Sequence, residues 1–282
     1  MPTVATRAEL ECLLADDVPY GDLTTEALGI CGAAGTMEFA ARDSMVLALA
    51  EDAAAIIEMS GCSVDLSATS GTTLRPGTPI LTARGSAGGL LRSWKVAQTL
   101  IEIWSGVATA AREIVEAATA VSPGIVVACT RKNTPGTKRY AVAAVKAGGA
   151  VMHRLGLSET VLVFPEHRGF LGEEKLAATV ERLRRVGPEK KLVIEVTSVA
   201  AAIAAAEAGF DVVQLEKFAP PDVATLVERL RSARPRPVVA VAGGVNSGNA
   251  AAYAQAGADV LVTSSPYLAK PRDVQVRIRP NA

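Results

Sequence analysis

The second half of the chain repeats one short unit, and the repetition leaves few folds open. Apolar runs stand at 125–129, 160–164, 192–196, 211–215, 237–241 and 259–263. Each of the first five is followed by an alanine-rich or amphipathic stretch of helical length, such as Glu173 to Val186 or Pro221 to Arg231. Strands that are apolar throughout are buried on both faces, and their alternation with helices reads as βαβ units around a parallel sheet. Ala208-Gly209-Phe210 and Ala256-Gly257-Ala258 have the form of helix C-caps that lead straight into the next strand. Six or so strands point to a barrel or partial barrel rather than an eight-fold one, with an open doubly wound sheet as the alternative.

The first part of the chain has a different texture. Residues 5–15 read as a helix, and Val18 to Thr25 as a turn with an N-cap residue. Short alternating stretches follow near 36–41, 46–48, 63–66 and 79–83, separated by Gly and Pro, with a helix expected at 50–59. A long helix spans about 88–120, with Ser105-Gly106 as the place where it would break. The expected division is an α+β layer over 1–110 and a barrel over 111–266. The alternating run Val274 to Ile278, in the tail 267–282, can rejoin the small sheet.

Composition closes several function classes. The 282 residues carry 29 basic and 29 acidic side chains, so the broad basic excess of a nucleic-acid binder is missing. No run approaches the ~18 apolar residues of a membrane span, and the N-terminus lacks the basic-then-apolar pattern of a secretion signal. Cys12, Cys31, Cys62 and Cys129 are scattered without a CxxC pair, which fits a reduced cytoplasmic protein better than a zinc site or disulfide framework.

Against that neutral background, 117–158 contains no Asp or Glu yet holds Arg131, Lys132, Lys138, Arg139, Lys146 and Arg154. Arginine forks and lysine point charges in one place suit a multiply charged anion. The other expected strands also end in polar residues: Glu166-His167, Glu195, Glu216-Lys217, Gly243-Gly244 and Thr263-Ser264-Ser265. Barrel enzymes build their sites at C-terminal strand ends and commonly hold phosphate in the last two loops. Gly243, Gly244, Thr263, Ser264 and Ser265 are therefore the expected phosphate cradle, through close backbone approach and hydroxyl donors.

The stretch 130–142, TRKNTPGTKRYAV, followed by Gly148-Gly149 and His153-Arg154-Leu155-Gly156-Leu157, resembles the core motif of the quinolinate phosphoribosyltransferase family, the nicotinate-nucleotide pyrophosphorylases. Residues 20–25, YGDLTT, resemble its N-terminal signature, and 105–109, SGVAT, its SGIAT segment. Glu195, Glu216 and Gly243-Gly244 fall in its later motifs. The variants at 94–98, 153–160 and 262–267 are most similar to the ModD branch, associated with molybdenum transport.

The resemblance implies a type II phosphoribosyltransferase-like fold: an N-terminal α/β sandwich domain and a C-terminal incomplete α/β barrel. It also implies a homodimer in which one subunit closes the other's site. The family reaction is pentosyl transfer from phosphoribosyl pyrophosphate (PRPP) to an aromatic carboxylate, with pyrophosphate released and Mg2+ required. In those terms Lys132, Glu195 and Glu216 are the expected catalytic residues, with Glu195 and Glu216 serving Mg2+. Lys95, Arg131, His153, Arg154, Phe164 and Lys217 are expected to bind substrate.

Three departures alter the expectation. The family carries a lysine where this chain has Phe164 and an asparagine where it has Glu166; Trp94-Lys95 replaces Glu-Arg, and Glu216-Lys217 replaces Asp-Asn. A lost cation weakens a dicarboxylate, since each charge-assisted bond contributes about 1.5–3 kcal/mol. The expected function is thus a PRPP-dependent transferase with a changed acceptor. Alternatives are a genuine quinolinate enzyme in which Lys95 and Lys217 compensate, a Schiff-base aldolase using Lys132 or Lys217, and a non-catalytic oxyanion-binding protein tied to molybdenum.

Overall fold

The computed structural model describes residues 3–281 and divides into two compact units. The first takes the chain up to Arg112, then 133–149, then Pro266 onward; the second takes Glu113–Lys132 and Ala150–Ser265.

In the first unit, α1 (Arg7–Asp17) starts at a reciprocal cap. Thr6 Oγ1 accepts from the Glu9 amide at 3.3 Å, and Glu9 Oε2 accepts from the Thr6 amide at 2.7 Å. Asp22 caps α2 (Leu23–Ala27) by accepting from the Thr25 amide at 3.1 Å. There follow β1 (Ala34–Ala41), β2 (Met45–Val46), α3 (Ala50–Met59), β3 (Ser63–Leu66), β4 (Thr73–Leu74) and β5 (Pro79–Ser86). The C-terminal strand Val274–Pro280, β1, β5 and β3 lie side by side in that order, all antiparallel. Alternate residues of β1 and β5 (Met37, Phe39, Leu81, Ala83) point inward and pack with Ile57 of α3.

The 33-residue α4 (Ala87–Thr119) completes the unit and crosses its boundary. It is continuous, so the break expected at Ser105-Gly106 does not occur. Those residues serve packing. Ser105 Oγ accepts from the Ala48 amide at 3.0 Å, Thr109 Oγ1 accepts from the Val46 amide at 2.9 Å, and a Cβ on Gly106 would stand 2.3 Å from the Lys270 carbonyl oxygen. Helix α5 (Lys138–Ala147) is held the same way: a Cβ on Gly148 would meet the Ala108 carbonyl oxygen at 2.4 Å. Arg112 Nε donates to the Gly148 carbonyl at 2.9 Å, which satisfies the helix end.

The second unit is a seven-stranded parallel sheet. Its strands are β6 (Val126–Cys129), β7 (Val151–Met152), β8 (Val161–Val163), β9 (Leu192–Val196), β10 (Val212–Glu216), β11 (Val238–Ala242) and β12 (Val260–Thr263), in the spatial order β7-β6-β12-β11-β10-β9-β8. All six expected strands are present. The seventh, β7, is two residues long and carries no apolar run that would announce it. Helices α6 (Pro165–Gly169), α7 (Leu176–Arg184), α8 (Val199–Glu207), α9 (Pro220–Arg229) and α10 (Ala250–Gln255) alternate with the strands. Gly209 and Gly257 adopt φ of +95° and +89° directly after α8 and α10, the left-handed caps read from the sequence. Among the described residues no helix is long and apolar enough to cross a membrane.

Candidate active site

The polar residues of the second unit gather at the C-terminal ends of its strands. Glu195 pairs in register with Gln214, and Glu216 with Ala242. Side chains alternate along a strand, so Glu195, Gln214, Glu216, Ala240 and Ala242 share one face. The floor of that face is a small apolar cluster of Ala240, Ala242 and Val262 with Val212 and Val260 against it. Small residues there leave room above for a ligand.

Glu195 is the centre of the acidic side. Gln214 Nε2 donates to its Oε2 at 2.7 Å. Burial pushes the Glu195 carboxyl above its usual range; the Gln214 bond opposes this, the charges of Glu216 and Glu166 add to it, and Lys132 counteracts it. The other amide atom, Gln214 Oε1, is buried without a protein partner. Gln214 was not anticipated, although a lone polar residue inside the run Val212-Val213-Gln214-Leu215 was visible.

The basic side comes from β6 and β7. The His153 amide donates to the Cys129 carbonyl at 2.8 Å, extending the β6–β7 ladder so that Thr130 and His153 are neighbours. Burial, and then the Arg154 charge, hold His153 below its ordinary value. Arg154 is 6 % exposed. Burial and the nearby Arg131 charge lower its affinity for its proton, so the two guanidiniums share one locale. Among the described residues Arg154 makes no ion pair with a carboxylate. A buried guanidinium without a counter-ion favours an anion beside it.

The two edges of the sheet also approach each other. The Arg154 guanidinium, beyond β7, lies over the Phe164 ring, beyond β8, at 5.6 Å from its centroid. Phe164 stacks on His167 with centroids 5.8 Å apart and 22° between planes, and its amide donates to His167 Nδ1 at 2.9 Å. That bond leaves the imidazole proton on Nε2.

At the expected phosphate cradle the backbone turns left-handed. Gly243 and Gly244 both have positive φ, +86° and +91°, with open space beside Gly244. A Cβ on Gly243 would stand 2.7 Å from Lys217 Cγ and 2.8 Å from Glu216 Oε1, so glycine lets both side chains fold across the loop. Lys217 itself is left-handed at φ +59°, and its amide donates to the Ala242 carbonyl at 2.8 Å. Thr263 Oγ1 donates to the Val245 carbonyl at 2.7 Å and accepts from the Ser265 amide at 3.1 Å; Ser264 is half-buried between them. Asn246 and Asn249, which the sequence reading missed, both donate to the Gly244 carbonyl, at 3.1 and 3.0 Å.

The basic island divides between the two units: Arg131, Lys132 and Arg154 belong to the second, whereas Lys138, Arg139 and Lys146 lie on α5 in the first. Arg139 is committed there, with Nε 3.1 Å from Glu9 and Nη1 donating to the Val4 carbonyl at 3.0 Å. Charge counting along a sequence cannot see that a helix intervenes. Lys95 is likewise on α4 in the first unit, 4.0 Å over the Trp94 ring. It lines a cavity of about 490 Å³ with Trp104, Tyr140 and Tyr267.

Among the described residues no three His, Cys, Asp or Glu side chains close into a cation cage. Mg2+ needs no such cage, since one or two carboxylates, waters and substrate phosphates suffice. The adjacent Glu195 and Glu216, with the orphaned Gln214 Oε1 as an acceptor for a water or hydroxyl, fit that requirement.

Comparison with known proteins gives the family. Residues 22–105 match the family described as quinolinate phosphoribosyl transferase, N-terminal domain, and 107–277 its C-terminal domain. The chain is 48 % identical to ModD of Rhodobacter capsulatus over 86 % of this chain and 93 % of that one. It is 34 % identical to an Archaeoglobus fulgidus protein named for carboxylating nicotinate-nucleotide pyrophosphorylase, over 89 % and 94 %. The fold is that of the Francisella tularensis nicotinate-nucleotide pyrophosphorylase (TM-score 0.88, 21 % identity, 99 % and 100 % covered). NadC from Streptococcus pyogenes gives the same TM-score of 0.88 at 23 % identity, covering 98 % and 96 %. The chain belongs to the quinolinate phosphoribosyltransferase family, and is a pyrophosphorylase-type pentosyltransferase of that family.

Proposed function

We propose that the second unit transfers phosphoribose from PRPP to the ring nitrogen of an aromatic acid other than quinolinate. The C1–O bond to pyrophosphate breaks with its electron pair leaving on pyrophosphate, and the nitrogen lone pair forms the new N–C1 bond. The observation that carries the reading is the buried, carboxylate-free Arg154 beside Arg131, with Glu195 and Glu216 at the ends of other strands of the same sheet. Acceptor anion and ribose cation thereby have separate berths.

Positive charge develops on the ribose as the bond breaks, and a carboxylate held at a fixed angle stabilises it without reorganising. Glu195, oriented by Gln214, has that role, and Glu216 stands beside it. Lys132 supports the departing pyrophosphate, and Gly243, Gly244, Thr263, Ser264 and Ser265 hold the phosphate of the ribose. Glu195 and Glu216 would hold Mg2+, which when bound neutralises pyrophosphate oxygens. Lys95, in the first unit, serves the site of a partner subunit in a homodimer acting in the cytoplasm.

A second reading, a genuine quinolinate enzyme, is favoured by one observation: Lys217 folds over Gly243 and keeps a cation at the strand ends. The class itself is tested by Lys132→Ala and Glu195→Ala. Each is expected to lower PRPP-dependent pyrophosphate release by about 100-fold or more while leaving the melting temperature within a few degrees. Near-normal rates in both refute the assignment.

A further inference from the structure

We propose that Glu166 selects the acceptor, and that the acceptor is an aromatic monoacid carrying a hydrogen-bond donor in place of a second acid group. The inference rests on the transferase reading above and names the substrate class for that same site.

The geometry divides the acceptor region by charge. Arg131 and Arg154 supply two guanidiniums from the β6 and β7 ends. The adjoining wall comes from β8, whose register with β9 (Val163 beside Ile194) carries Phe164 to the side of Glu195. Helix α6 starts at once, and Glu166 sits in its first turn. Phe164 offers no charge and no donor; its ring is occupied by Arg154 at 5.6 Å and His167 at 5.8 Å. His167 is tied back through Nδ1 to the Phe164 amide. Arg168 follows two residues later and forms no ion pair with Glu166 among the described residues.

Glu166 is therefore an exposed, uncommitted carboxylate at this wall, two residues before Arg168, whose Nε is buried without a hydrogen-bond partner among the described residues. It makes no ion pair or hydrogen bond within the described protein, and its charge reaches Glu195 strongly enough to help push that carboxyl upward. With one acceptor carboxylate on Arg131 and Arg154, the next ring position lies toward β8 in this proposal, because Arg154 itself stands over Phe164. A second carboxylate there would meet Glu166 and Glu195 with no cation from Phe164. An amino group there would find an acceptor. An unsatisfied or repelled polar group discriminates far more sharply than a change of size does.

Three pyridine acids isolate the effect: nicotinate, with hydrogen at the adjacent ring carbon, quinolinate, with carboxylate, and 2-aminonicotinate, with an amino group. Calorimetric binding of each to the full-length protein, with PRPP and Mg2+ present, is compared for wild type, Glu166→Gln and Glu166→Lys. The expected order in wild type is 2-aminonicotinate tightest and quinolinate weakest, with about tenfold or more between amino and hydrogen. Glu166→Gln should collapse that preference to within about threefold, and Glu166→Lys should invert the order in favour of quinolinate. Unchanged ranking in both variants, quinolinate binding best to wild type, or no measurable binding by any of the three overturns the proposal. Pyrophosphate release in the same samples judges the transferase reading separately: ranked binding without release keeps Glu166 as the selector and removes the transfer.

Discussion

Arg154 lies 5.6 Å from the centre of the Phe164 ring, and this contact joins the two strands, β7 and β8, that edge the sheet. The guanidinium is thereby placed over an apolar surface with its nitrogens free for a ligand. A cation over a ring at this range contributes about 0.5–2 kcal/mol. Phe164→Lys exchanges that attraction for repulsion, so the unliganded protein should lose roughly 1–3 kcal/mol. The same lysine should tighten quinolinate by about tenfold. Thermal melts and calorimetry on one preparation check both signs; unchanged quinolinate affinity would mean that the acceptor pocket differs from the quinolinate type elsewhere.

Gly243 and Gly244 separate backbone strain from steric conflict. Both have positive φ, so alanine at either should cost roughly 1–2 kcal/mol. Only at Gly243 would the new Cβ strike Lys217 Cγ and Glu216 Oε1, at 2.7 and 2.8 Å. Gly243→Ala should therefore also lower turnover, whereas Gly244→Ala should mainly lower stability. Equal turnover in the two variants would remove Glu216 from the site.

His153 gives a pH signature. Burial first, and the Arg154 charge second, lower its value in the folded state below the ordinary 6.5. Between the two values the unfolded chain binds more protons, so stability falls as pH drops from 6.5 through the folded value, and no further below it. His153→Gln should flatten that part of the melting-temperature profile relative to wild type. Parallel profiles across pH 7 to 5, bracketing the ordinary His value, contradict a half-buried His153 that resists protonation.

The thiols report on the sheets. Cys12 and Cys31 are exposed, while Cys62 and Cys129 are buried, and burial pushes Cys129 up to about 12. At pH near 8, where an ordinary thiol is partly ionised, two of the four cysteines should react quickly with a disulfide reagent. The other two should wait for unfolding. Fast reaction at Cys129 would show that β6, which leads into Arg131 and Lys132, is not packed as described.

Much of this was legible before any coordinates. The period of the second half gave six strands to within a residue or two, because doubly buried strands leave continuous apolar runs and glycines mark the caps. Glu195, Glu216, Gly243, Gly244 and Thr263 were readable as strand-end polar residues for the same reason. Strand β7 was not, since two residues make no pattern. Ser105-Gly106 looked like a break because serine and glycine are poor helix formers; their value lies in contacts with residues 48 and 270 that no local window contains. Gln214 was overlooked inside an apolar run, and its partner Glu195 lies 19 residues away, brought alongside only by strand register. That Arg139 folds into the first unit and Arg131 into the second is not legible from their proximity in sequence.

The most direct test of the account is pyrophosphate release from PRPP and Mg2+ with quinolinate, nicotinate and 2-aminonicotinate as acceptors. Release that depends on a monoacid and exceeds that with quinolinate is the predicted result, and should vanish in Glu195→Ala. Strong release with quinolinate alone would make this a working quinolinate enzyme that tolerates Phe164. No release with any acceptor would contradict the transferase reading and favour a protein that binds anions without turning them over.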